Sequence, residues 1–300
     1  MTNIRAVGMA IYTYSVVEQR AEELWSWIES VERWSGKEFE EYYFTPAAKR
    51  VSGPKRLAHH NRLALVDRLR TENPWFAWGI AWPTLEKRIH LVGGVQISVK
   101  SRPQPERGKE RYRAPSCVFL HTHADLLKAS LTQATAFTAL GIQLWRAIDG
   151  VYGFIDVETG IPLQDNLLRN AIHLFDSTVP LELNNEFRQW QRLMPVLNRR
   201  VWKSFWGNFL GAEHLQRLGG IEELQRADPQ RRMLPEYREQ AQIAGLRRLE
   251  ECACLQRVEP LSSGSVLTTL SESPMEWFEP KVQARAKQLQ NTLSTLTMEL

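Results

Sequence analysis

Cysteine is nearly absent from this chain, and so is every short signature that usually announces catalysis. Three cysteines, Cys117, Cys252 and Cys254, stand in 300 residues. So few, with two of them only two positions apart, exclude a disulfide framework and point to reduced thiols in a reducing compartment. No second CxC or CxxC exists to complete a zinc site with Cys252 and Cys254. The chain contains no GxSxG, HExxH, GxxxxGK[ST] or GxGxxG, which removes the commonest hydrolase, zinc-protease, P-loop and dinucleotide-binding readings. Long apolar runs are missing too. No segment reaches the ~18 residues of a membrane span, and the N-terminal "MTNIRAVGMAIYTYSVVEQR" is too briefly apolar for a signal peptide, so the expected location is the cytosol.

Neither sign of charge dominates. Thirty-eight basic and 34 acidic side chains leave +4, and the signs are interleaved along most of the chain, whereas a nucleic-acid binder concentrates its basic residues. The exception is "KSRPQPERGKERYR", Lys100 to Arg113, which reads as an exposed loop.

What is present is a regular alternation of strand and helix patterns. Arg5 to Tyr14 alternates as a strand, and Val17, Ala21, Leu24, Ile28 and Val31 then recur at helical spacing. Asn73 to Pro83, Ile89 to Lys100, Ala114 to His123, Gly150 to Gly160 and Gly264 to Ser271 read as strands. A helix over Asp125 to Ile148, apolar around much of its circumference through Leu127, Leu131, Phe137 and Trp145, is expected to be buried on more than one side. Arg199 to Leu210 resumes the strand pattern, with Val201, Phe205 and Phe209 in step. "GAEHLQRLGG" is a short helix ending at Gly219 as a left-handed cap. Ile221 to Val258 reads as polar helix with one proline break, and Glu279 to Leu300 as a closing helix. These elements give an α/β (α+β) fold: a mixed, largely antiparallel sheet covered by helices, as one two-lobed domain spanning residues 1–300.

Each candidate centre of chemistry lacks a component. In "LHTHAD", His121 and His123 share a strand face and could share a metal, and with Asp125 they look like the start of the HxHxDH motif of the metallo-β-lactamase family. Leu126 occupies the place of the last histidine, so no metal or other cofactor is expected; Thr122 is suited to cap the following helix. Cys117 reads as a core cysteine, since "SCVFL" is apolar. Asp156 and Glu158 lack the following lysine of a nuclease carboxylate pair and read as a solvent-facing acidic strand.

Two stretches combine acidic groups with aromatics, as contact surfaces do. "GKEFEEYYF" offers Glu38, Glu40, Glu41, Tyr42 and Tyr43, and "SESPMEWFEP" offers Glu272, Glu276, Trp277 and Glu279. Of the eleven tryptophans, Trp75, Trp78, Trp82, Trp202 and Trp206 bracket strands, and most are expected in the core.

One stretch carries a resemblance. "SFWGNFLGAEHLQRLGG" places Trp206, Gly207, Phe209, Leu210, Leu215, Leu218, Gly219 and Gly220 where the type VI secretion immunity family, a former domain of unknown function, has WxTFL, a short helix and EKLGG. "GVYGFIDVETG" is similar to that family's glycine and tyrosine segment, and the likeness covers 114–300, weakening over 1–113. The chain departs from the family's AGPxPxxGD-like turn, where "SESPMEWFEP" keeps only the proline. The resemblance implies a non-catalytic, cytoplasmic antitoxin that occludes a cognate effector, a nuclease toxin, with no direct contact to nucleic acid or membrane; a homodimer is allowed. It implies structural roles for the motif residues, with the acidic aromatic stretches as toxin-binding. A metal-dependent hydrolase built on His121 and His123, or a nucleic-acid binder, is the alternative from other classes.

Overall fold

The computed structural model describes residues 4, 6–36, 41–45, 55–56, 66–67, 75–79, 95–100, 115–158, 196–201, 204–227 and 234–297. Ten strands run through them: β1 Ala6–Thr13, β2 Glu41–Thr45, β3 Lys55–Arg56, β4 Trp75–Gly79, β5 Val95–Lys100, β6 Ser116–His123, β7 Tyr152–Glu158, β8 Gly207–Leu210, β9 Arg257–Pro260 and β10 Val266–Thr269. They form one sheet in the order β3-β2-β4-β5-β6-β1-β7-β8-β10-β9, every neighbouring pair antiparallel. One parallel bridge, Val201 to Thr297, lies outside these strands. Seven helices accompany the sheet among the described residues: α1 Ala21–Ser35, α2 Ala124–Lys128, α3 Leu131–Ile148, α4 Ala212–Leu218, α5 Ile221–Ala227, α6 Pro235–Glu250 and α7 Pro280–Thr292.

The alternation of β1 explains its central place. All eight of its residues are buried, so both of its faces are covered. Met9 and Ile11 point toward α3, where Trp145 stacks on Phe209 of β8 with centroids 5.7 Å apart. Complete burial of a phenylalanine contributes about 1.5–3 kcal/mol. α1 lies on α3 with its predicted stripe inward: Val17, Ala21, Leu24, Ile28 and Val31 are all buried, and Trp27 Nε1 donates to the Leu140 carbonyl at 2.8 Å. On the opposite face Tyr12, Tyr152, Phe154 and Phe205 pack ring to ring, the last two 4.1 Å apart. Cys117 is buried there beside Tyr12.

Several local expectations are corrected. The helix predicted from Asp125 to Ile148 breaks into α2 and α3, because Ser130 leaves helical geometry to cap Gln133 N–H with its side chain. Leu131, at the start of α3, is 52% exposed and is no part of the core. Among the described residues between Arg199 and Leu210, only Gly207–Leu210 is strand. The Asn208 side chain bonds both the N–H and the carbonyl of Phe205 at 3.0 Å, turning the chain just before β8. The polar stretch ending at Val258 contains β9 as well as helix. α7 stops at Thr292.

The cysteines are corrected as well. Cys252 and Cys254 are joined in a disulfide at the corner between α6 and β9, with Cα atoms 5.2 Å apart. Composition argued for reduced thiols, yet the turn at 252–255, closed by Leu255 N–H on the Cys252 carbonyl, brings the two sulfurs together.

The α4–α6 pair is built on glycine. A Cβ on Gly219 would overlap the Ala241 carbonyl, and one on Gly245 the Leu215 carbonyl, so the two backbones touch. Gly219 therefore serves close approach and has an ordinary φ of −80; the left-handed residue expected there is the next one, Gly220, with φ of 83. At the sheet edge, β9 ends in Pro260, which has no N–H, and carries an Arg257–Glu259 ion pair at 2.6 Å.

Candidate functional site

The strand register gathers the sequence-predicted residues at one end of the sheet. Reading across it, Glu41 pairs with Gly79, Gly79 with Gln96, Gln96 with His121, His121 with Gly8 and Gly8 with Asp156. The next row holds His123, Ala6 and Glu158. β10 ends at the same end, opposite Gly207, and from it runs the turn 270–279.

His121 is fully buried, its ring stacked on Phe119 at 6.0 Å. Asp156 is 8% exposed and its carboxylate accepts from the Val157 N–H at 2.7 Å. The solvent-facing acidic strand expected for Asp156 is thus overturned: the β7 face that carries it is covered, and the turn at Pro274–Glu276 packs against β7 and α2. His123 is the residue that caps α2. Its Nδ1 accepts from the Asp125 N–H at 3.3 Å and has the Asp125 carboxylate 3.0 Å away. Thr122 points to the other face and does not cap. Among the described residues no group of three or more His, Cys, Asp and Glu is gathered as a metal site.

The turn 270–279 is held on a firm stem. Leu270 N–H donates to the Trp206 carbonyl at 3.1 Å, and Trp206 Nε1 donates to Ser271 Oγ at 2.8 Å. Arg285 of α7 donates through one nitrogen to the Leu270 carbonyl at 2.8 Å and to Gln256 Oε1 at 3.2 Å. Ser273 Oγ then accepts from Met275 N–H. The stem presents its tip outward: Glu272, Phe278 and Glu279 are exposed, while Glu276 and Trp277 are half-buried. Glu279 is paired with Lys281 at 3.0 Å, so Glu272 is the less compensated carboxylate.

The other acidic stretch is placed only in part. Glu38 and Glu40 lie outside the described residues, as do Trp82, Trp202 and all of Lys100 to Arg113 beyond Lys100. Glu41, Tyr42 and Tyr43 begin β2 and are fixed in register.

The motif residues sit inside. Trp206, Gly207, Phe209, Leu210, Leu215 and Leu218 are buried, and Gly219 and Gly220 turn α4 toward α5. His214 fastens the start of α4: its Nδ1 accepts from Gly211 N–H at 3.1 Å, which leaves the proton on Nε2 to donate to the Arg200 carbonyl at 3.3 Å. Burial pushes its pKa down to about 4, so the ring is neutral. Sequence spacing gave no sign of this clip, because Arg200 and Gly211 meet only through the fold. Ser271 and Arg285 were missed for the same reason.

No protein-family model matches this chain, and no curated protein does. Its fold is similar to a solved structure described as the Pseudomonas aeruginosa T6SS protein PA0821, with a TM-score of 0.57 and 11% identity, over 98% of this chain and 73% of that one. At that identity the likeness establishes a shared fold.

Proposed function

We propose that this chain is a non-catalytic immunity protein that binds a type VI secretion effector, a nuclease toxin, and blocks its active site in the cytoplasm. The observation that carries this reading is the outward-facing turn 270–279, which sets Glu272, Phe278 and Glu279 on a hydrogen-bonded stem. Rigid presentation lowers the entropy cost of docking, and carboxylates suit the basic groove by which a nuclease holds its substrate. The "WGNFLGAEHLQRLGG" resemblance and the T6SS description of the structural neighbour support the same context.

Glu41, at the start of β2, and the turn 270–279, which leaves β10, lie at one end of the sheet, seven strand steps apart. At ~4.8 Å per step that is roughly 34 Å, about the width of a standard interface of ~800 Å² per partner. One partner of ordinary size can therefore span both. The reading is tested by co-expressing this chain with the toxin domain encoded beside its gene. Rescue of growth together with a stable isolated complex is expected. Survival without a complex, or no rescue, would sink the proposal.

A further inference from the structure

The Cys252–Cys254 bond closes a loop of sequence separation 2. Cross-links stabilise by restricting the unfolded chain, and the effect shrinks with the loop. A bond this local therefore contributes little to global stability, and its consequence is confined to the corner it closes. That corner leads directly to the candidate contact turn. Two residues after Cys254, Gln256 N–H donates to the Thr269 carbonyl at 2.8 Å, and the Gln256 side chain shares Arg285 with the Leu270 carbonyl at the base of the turn. The two sulfurs also differ in access. Cys254 is fully buried in the core, whereas Cys252 is half-buried at the surface, 3.7 Å from Thr292 Oγ1 on α7.

We propose that Cys252 and Cys254 form a reversible thiol–disulfide site that sets the order of the turn 270–279. In the forward step a thiolate of a dithiol reductant attacks Cys252 Sγ, the approachable sulfur. The Cys252–Cys254 bond breaks, a mixed disulfide forms, and Cys254 departs and takes up a proton. The reductant's second thiol then attacks the mixed disulfide, releasing Cys252 as a thiol and the reductant as a cyclic disulfide. Two electrons and two protons pass to the protein. Freed of its clip, the 252–255 turn relaxes, Gln256 loosens its hold on Thr269 and Arg285, and the turn frays. The meaning of the switch for toxin binding rests on the function proposed above; the switch itself is read on the purified chain alone.

The experiment incubates the full-length protein with dithiothreitol or with its oxidised cyclic form, counts thiols by alkylation under denaturing conditions and mass spectrometry, and follows amide exchange. The oxidised sample should alkylate at Cys117 only, and the reduced sample at all three cysteines. Reduction should speed exchange over 269–279 at least ~10-fold while the unfolding midpoint moves little. In the Cys254→Ser variant Cys252 should form a mixed disulfide with glutathione disulfide under native conditions, and in Cys252→Ser the buried Cys254 should not. Three outcomes would overturn the proposal: full alkylation of all three cysteines after oxidation, unchanged exchange over 269–279 on reduction, or collapse of the whole fold on reduction. Should the variants fail to fold, the two native measurements decide alone.

Discussion

His214 shows how a single buried side chain ties stability to acidity. Its folded pKa, held down to about 4 by burial, lies below the ordinary 6.5, so the folded state binds fewer protons than the unfolded one between those values. Its contribution is complete above pH 6.5 and is lost as pH falls toward 4, by up to about 1.4 kcal/mol per pH unit. Urea midpoints should therefore hold steady from pH 8 to 7 and fall below 6.5. A His214→Gln variant should start less stable and fall less steeply; a variant with the native slope would show that another group drives the loss.

At the scale of elements, the α4–α6 pair makes the sharpest demand on residue type. Gly219→Ala places a methyl against the Ala241 carbonyl, which is backbone and cannot rotate away. Overpacking of this kind costs about 1–3 kcal/mol or more, to be read as a lower denaturant midpoint with the m-value unchanged; an unaltered midpoint would refute the contact. Elements with a clean period were legible in the sequence. β1, β6 and β7 fall within the stretches read as strands, and α1 buries the stripe its spacing predicts. Elements defined by side-chain hydrogen bonds were not. Nothing in "KASL" announces that Ser130 will break the α2–α3 stretch, and the step-of-four pattern of Val201, Phe205 and Phe209 hides the Asn208 clip. The charged β9 has no apolar period at all, and only β10 beside it makes it a strand. The site divides the same way: Glu272 and Glu279 were visible as an exposed acidic stretch, whereas the burial of Asp156 depends on a turn more than a hundred residues later.

At the scale of the whole molecule, the function proposed above puts the partner at one end of a broad sheet. Glu272, Glu276 and Glu279 hold no described part of the core in place, so changing all three to Lys should shift stability by less than about 0.5 kcal/mol per site. Binding to the toxin should nevertheless slow at least ~10-fold in association, with a weaker salt dependence, as expected when steering charges are reversed. Stopped-flow association measures this, with Glu38, Glu40 and Glu41 changed to Lys as the second arm. Loss in one arm assigns the contact to that stretch, and loss in both fits a patch spanning the sheet end. Unchanged association in both would remove the acidic end from the interface.

The strand that closes this sheet has a further meaning for a chain held at high concentration. Ten antiparallel strands present a long hydrogen-bonding margin, and an open margin recruits other chains into fibres. At the β9 side recruitment meets a four-residue strand, a paired Arg257 and Glu259, and a proline that cannot donate. A newcomer finds too few bonds there to extend the ladder, so this border lets the chain accumulate without seeding its own aggregation.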